Sequence, residues 1–221
     1  MRIPKIEKFS DKISDIRVEK IDNIIMPEYH VKFLSDKDRE KFIDQIKKVV
    51  RASVEYKMYI KYLQDYLDMT KCAFFNGVTN KQNTKIKIEI HHEPFTIFDI
   101  IEIVLNKVVD QGRDLNALEI ADEVMKLHYQ NKVGLIPLSQ TVHELVHSGQ
   151  KFIPLNHVFG SYIEFVQEYE DYIPAYTKGV LQTKIDMTKD CIDDSSILQK
   201  QFVYLEVDGF VLPDMSNFTN R

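Results

Sequence analysis

An α+β fold is predicted, with long helical stretches surrounding one short strand-and-helix unit. Three observations predict it. Residues 36–69 and 97–128 repeat apolar side chains at helical spacing, residues 85–90 alternate with a period of two, and residues 134–149 bracket a short helix between glycines. No internal repeat, low-complexity tract or linker interrupts the chain, so one domain with elaborations is the economical organisation. Its parts are an N-terminal arm and helical segment over 1–70, a core over 71–150 with a helical insertion at 97–128, and a C-terminal extension over 151–221 that packs on the core.

Residues 1–35 mix short apolar alternations, such as Ile21 to Met26, with Pro27, and read as strands or an irregular arm. Ser35-Asp36-Lys37-Asp38 is a cap-like helix start. Phe42, Ile46, Val49, Val50, Val54, Met58, Leu63 and Leu67 then recur with no Pro or Gly before Gly77, which predicts one long helix or two abutting ones. Tyr56, Tyr59, Tyr62 and Tyr66 lie along it. Packing is the ordinary role for tyrosines at this spacing, and a base-stacking row beside cations is the alternative.

Asn76-Gly77 marks a turn, and Lys85-Ile-Lys-Ile-Glu-Ile90 carries the signature of a half-buried strand. Thr96 can cap a helix from Ile97 towards Val109 that Gly112 ends, and Asn116 to Glu119 forms a capping box for a second helix reaching about His128. Ser139 can cap the helix that Gly149 terminates. Residues 160–172 are helical and acidic, a helix follows Pro174, residues 193–196 form a loop, and Phe202 to Leu212 is a strand broken at Asp208-Gly209.

With 221 residues, 44% apolar and 29% charged, the chain is long enough for a sizeable core. Its net charge of −5 argues against a uniformly basic nucleic-acid coat. A local exception lies between Met69 and Ile88, where Lys71, Lys81, Lys85 and Lys87 meet no acidic residue; phosphate contact and a plain solvated face are both open readings. Cys72 and Cys191 are far apart, which disfavours a disulfide framework or a Cys-rich zinc site and suits a reducing cytosol. The N-terminus lacks the apolar core of a signal peptide, and no run reaches the roughly 18–20 apolar residues of a membrane span, so an intracellular protein with no membrane partner is expected.

The chemistry concentrates in Thr141-Val-His-Glu-Leu-Val-His147. Residues four apart share a helix face, so His143 and His147 can hold one metal ion. The same letters spell HExxH, which in a zinc peptidase makes Glu144 the base and a downstream glutamate, Glu164 or Glu168, the third ligand. That pattern is short, its helix would begin only four residues before His143, and it leaves His91-His92 at the end of the predicted strand without a role.

The strand ending in His91-His92, the stretch Gly134 to Leu138, and the following helix with His143 and His147 together resemble the HNH endonuclease family, most closely the nuclease domains of DNase colicins. The resemblance covers residues 86–96 and 131–150. It implies a ββα-metal core in which His91, His143 and His147 hold one divalent ion and His92 is the general base. The substrate it implies is nucleic acid, DNA in particular, with Lys81, Lys85 and Lys87 as backbone contacts. Histidine suits the base role because its pKa near 6.5 leaves it neutral at pH 7.

All-imidazole ligation favours Zn²⁺, Ni²⁺ or Co²⁺ for affinity, with Mg²⁺ or Mn²⁺ as alternative working ions. Stand-alone proteins of that family are often phage-encoded, acting in the host cytoplasm, and a Lys-, Ile- and Asn-rich chain is compatible with an AT-rich genome.

Two departures stand out. The family's central Asn coincides with Gly134, whose freedom at positive φ could reach the same loop geometry, and Asn131, three residues earlier, is the candidate substitute for the missing side chain. The helical pair 97–128 replaces a shorter connection. Ser139 and Val142 occupy the positions where the resembled family often carries cysteines, so no structural zinc is expected. A degenerate module that binds nucleic acid without cutting it, or four purely structural histidines, are the competing readings. His128 and His157 are expected to be packing residues, and Cys72 buried rather than reactive.

Overall fold

The computed structural model describes residues 35–75, 77–81 and 85–193. The expected N-terminal arm before Ser35 and the expected strand at Phe202 to Leu212 lie outside the described residues, as does the loop at 193–196 beyond its first position. The architecture is mixed helix with a small two-stranded sheet, as expected of an α+β chain.

The chain divides into two compact units. Residues 35–61 and 97–130 belong to the first, and the described residues of 62–96 and 131–193 to the second. The helical pair therefore groups with the N-terminal helices, not with the strand that precedes it. In the first unit, α1 (Asp36–Ala52) buries Phe42, Ile43, Ile46, Val49 and Val50. That face packs on α3 (Ile97–Asp110) and α4 (Ala117–Tyr129). Each fully buried aliphatic side chain contributes about 1.5–3 kcal/mol, so this shared apolar face is reason enough for the grouping. Arg39 adds a bond to Asn106 Oδ1 at 2.5 Å.

The segment expected as one helix or two is two. Ser53 ends α1, its N–H bonding Val49 and Val50 carbonyls, and α2 (Val54–Tyr66) follows at once. Ser35 Oγ caps α1 by accepting from Asp38 N at 3.2 Å. Asn116 Oδ1 caps α4, accepting from Leu118 N at 2.9 Å and Glu119 N at 3.4 Å. Tyr59 and His128 are buried against each other within this unit, ring centroids 5.5 Å apart, and Tyr56 meets His128 at 5.8 Å. Packing is thus the role of the first two tyrosines of the row. Tyr62 and Tyr66, in the second unit, stack on each other at 5.5 Å, with Tyr66 71% exposed.

In the second unit, β1 (Ile88–His92) pairs antiparallel with β2 (Leu135–Ser139). The strand starts three residues later than the lysine–isoleucine alternation suggests and runs through both histidines. Partner availability sets this register: β2 supplies five residues, matched from Ile88 opposite Ser139 to His92 opposite Leu135. The far edge of β2 is used as well, since Pro137 O accepts from Ala73 N at 2.9 Å and Leu135 exchanges bonds of 2.8 Å with Phe159.

The short α5 (Gln140–His147) follows β2 directly and packs on both strands. Ser139 makes no side-chain cap bond. Its buried hydroxyl instead accepts from Cys72 Sγ at 3.6 Å, and Gln140 N donates to Lys87 O at 3.3 Å, tying the helix start to the chain entering β1. Gly149, at φ +72°, ends the helix as expected. A 3₁₀ turn (Leu155–His157), α6 (Tyr162–Glu168), a second 3₁₀ turn (Glu170–Tyr172) and α7 (Ala175–Asp193) complete the unit. No helix among the described residues is long and apolar enough to cross a membrane.

Candidate metal centre

Side chains two apart on a strand share a face, and those four apart on a helix share a face. Glu89 and His91 therefore point together from β1, and His143 and His147 point together from α5. Because α5 packs on β1, the two pairs meet. His91, His143 and His147 each offer one ligand atom, and these atoms all lie within 4.8 Å of one another. Ring centroids stand 5.0 Å apart for His91–His143, 5.2 Å for His91–His147 and 4.5 Å for His143–His147.

His143 Nε2 and His147 Nε2 approach to 3.1 Å. Two nitrogens bound to one tetrahedral ion at about 2.0–2.1 Å would stand about 3.3 Å apart, so this pair is already near the spacing of a shared ion. On the other edge of the His143 ring, Nδ1 lies 2.6 Å from Glu89 Oε2. A carboxylate there holds the ring proton at Nδ1 and turns the Nε2 lone pair inward, as an outer-sphere partner of a metal-binding histidine does. Burial pulls the His143 pKa below its ordinary value, the neighbouring His91 adds to that, and Glu89 opposes it. The balance favours the neutral imidazole, the form that binds metal.

The donor set suits a divalent ion. Three imidazole nitrogens fit Zn²⁺, Ni²⁺ or Co²⁺, and among the described residues no carboxylate or cysteine joins them. His91 is buried, His143 half-buried and His147 exposed, so the cluster opens to solvent on the helix side.

The remaining expected residues are distributed as follows. His92 is buried and is the last residue of β1, paired opposite Leu135, with the pairing carried one step further by the bond from Glu93 N to Gly134 O. Alternation starts its side chain on the face opposite His91. Gly134 does not have a positive φ; the need for glycine there is close approach. A Cβ on Gly134 would stand 1.8 Å from Glu93 O, and Gly134 O accepts from Glu93 N at 3.0 Å. Asn131 is the residue of this loop with positive φ, at +54°, a conformation Asn tolerates, and its carbonyl accepts from Ser161 N at 2.6 Å.

The lysine patch is partly neutralised. Asp68, one residue upstream of the acid-free stretch, pairs with Lys81 at 2.6 Å and Lys71 at 3.1 Å. Lys81, then Thr70 and Lys71, hold the Asp68 carboxyl well below the usual range. Lys85 and Lys87 are exposed, and Lys87 precedes Glu89 by two, on the alternation that leads to the metal face.

Of the peptidase set, Glu144 is exposed and accepts from Gln140 Nε2 at 3.1 Å, while Glu168 is taken by Lys132 at 2.6 Å. The third member of the cluster is His91, and neither Glu164 nor Glu168 belongs to it. His128 and His157 are buried outside the cluster, as is Cys72.

Sequence reasoning passed over two residues. Glu89 could have been found from its position two before His91 on an alternating strand. Glu93, 4% exposed, has Oε2 3.5 Å from His91 Nε2 and Oε1 2.5 Å from Lys184 Nζ on α7. The lysine's position gave no local signal.

Among known proteins, the family model for a bacteriophage G278-like virion protein matches residues 1–208. No curated protein matches the chain, and no solved structure matches it.

Proposed function

We propose that this chain, which belongs to the bacteriophage G278-like virion protein family, is a metal-dependent endonuclease of the HNH type that cuts phosphodiester bonds in DNA within the host cytoplasm. The observation that carries the reading is the meeting of His91 from β1 with His143 and His147 from α5, on an antiparallel strand pair followed at once by a helix. This meeting of strand pair and helix supports the reading of a ββα-metal core.

A divalent ion held by the three imidazoles would supply positive charge at the scissile phosphate and the leaving oxygen. The chain's own residues do the rest. Glu89 fixes the His143 ring with Nε2 inward. His92 is assigned as the base that takes a proton from the attacking water, a role that needs its ring to reach the metal side of the strand end. Lys85 and Lys87 contact the DNA backbone, with a smaller share for Lys81 because Asp68 already holds it.

The test is cleavage of supercoiled plasmid by the purified protein with Mg²⁺, Mn²⁺, Ni²⁺ or Zn²⁺. The expected result is nicking that a chelator abolishes. His92→Ala should lose cleavage and keep the ion, and His147→Ala should lose both. Full cleavage by His92→Ala would remove the base assignment.

A second reading has its own support. The family is described as a virion protein, and Asp68 ties up two of the patch lysines. In that reading the three histidines form a clamp that stabilises a structural component. It expects the chelator to lower the melting temperature while no divalent ion elicits cleavage.

A further inference from the structure

Behind the cluster lies a buried acid–base pair that the proposed reaction does not use. Glu93 follows β1 and its backbone is anchored by the 3.0 Å bond from its N–H to Gly134 O. Its carboxylate is almost wholly buried, with Oε1 2.5 Å from Lys184 Nζ and Oε2 3.5 Å from His91 Nε2. Lys184 also donates to Pro94 O at 2.9 Å, so the ammonium bridges two consecutive residues. The hydroxyl of Tyr162 is buried with no hydrogen-bond partner among the described residues, and Glu93 is close enough to oppose its ionisation after burial itself does. A buried carboxylate is costly unless paired, and here Lys184 supplies the pairing charge from α7.

We propose that the Lys184–Glu93 pair is the positioning device of His91: the carboxylate keeps the ring's single proton at Nε2 and presents Nδ1 to a divalent ion. The inference rests on the metal-centre reading above. A neutral imidazole carries one proton, and an anionic acceptor beside one nitrogen holds it there, leaving the other lone pair for the metal. His91 and His143 are then mirror cases. Glu89 sits at Nδ1 of His143, whose Nε2 meets His147, and Glu93 sits at Nε2 of His91, which on this proposal leaves Nδ1 for the ion. One strand and the loop after it thus set both tautomers, and α7 secures the second of them through Lys184.

The experiment is titration of the full-length chain with Co²⁺, followed by its visible absorption, together with nitrogen NMR of the histidine rings in the Zn²⁺-loaded protein. The parent should show His91 protonated at Nε2 and bound through Nδ1. Glu93→Gln should weaken Co²⁺ binding about tenfold to a hundredfold and change the visible band, the range expected for loss of an outer-sphere partner. Lys184→Gln, at a side chain 24% exposed and so tolerant of change, should weaken it in the same direction, and Lys184→Arg should restore it. A parent that binds Co²⁺ while Glu93→Gln and Lys184→Gln keep its affinity and spectrum overturns this inference alone. Binding of His91 through Nε2 overturns it too. A parent that binds no Co²⁺ overturns the metal centre, and the inference with it.

Discussion

Glu89 Oε2 meets His143 Nδ1 at 2.6 Å, on the ring edge away from the nitrogen that meets His147 at 3.1 Å. The strand thereby fixes how the helix presents its ligand. Glu89→Ala should weaken divalent-ion binding about tenfold to a hundredfold and leave the unfolding midpoint of the metal-free protein within a few degrees. Titration of both proteins with Zn²⁺ measures it, and equal affinities would remove Glu89 from the centre.

Gly134 is held by space. A methyl group there would stand 1.8 Å from Glu93 O and 2.7 Å from Val158 Cγ1. Gly134→Ala should cost at least about 3 kcal/mol in urea unfolding, the upper range of overpacking, and weaken metal binding through the displaced Glu93. Gly134→Asn, which restores the letter expected of HNH nucleases, should destabilise further and raise no activity.

That contrast shows what the sequence made legible. His143 and His147 declare themselves by helical spacing, and His91-His92 by their place at a strand end. Their convergence needed only α5 to pack on β1. The reason for Gly134 was not readable, because it lies in a through-space approach to Glu93 and not in the loop's own dihedrals. The first unit was missed for a similar reason: both helical stretches were visible, yet their pairing depends on apolar faces of α1, α3 and α4 that are far apart in the chain. Asp68 lies just outside the stretch of lysines, so a count that begins at Met69 overlooks the charge that engages two of them.

His128 predicts a pH dependence of stability. Burial pushes its pKa down to about 4, with the Val124 carbonyl at 2.8 Å opposing that shift. The folded-state value lies below the unfolded one near 6.5, so the unfolded chain takes up the proton first as pH falls. Stability from this group is complete above about pH 6.5 and is lost towards pH 4, a loss of about 2–3 kcal/mol between pH 7.5 and 4.5. Urea unfolding at the two pH values, on the parent and on His128→Leu, should show a smaller loss for the variant. Equal losses would contradict it.

Asp68 restrains the lysine patch. Asp68→Asn should release Lys71 and Lys81, tighten binding to a short DNA duplex and steepen its salt dependence by up to about two units of log–log slope. Lys87→Ala should reduce that slope by about one. Fluorescence anisotropy across a salt series reads both, and a flat response to either variant would place the DNA elsewhere on the protein.

The central claim is that His91, His143 and His147 hold one ion between strand and helix. Its most direct measurement is calorimetric titration of the metal-free chain and of His91→Ala with Zn²⁺. One ion per chain in the parent, with affinity reduced at least about a hundredfold in His91→Ala, is the predicted result. A parent that binds no ion, or a His91→Ala variant that binds it as tightly as the parent, would contradict the shared centre.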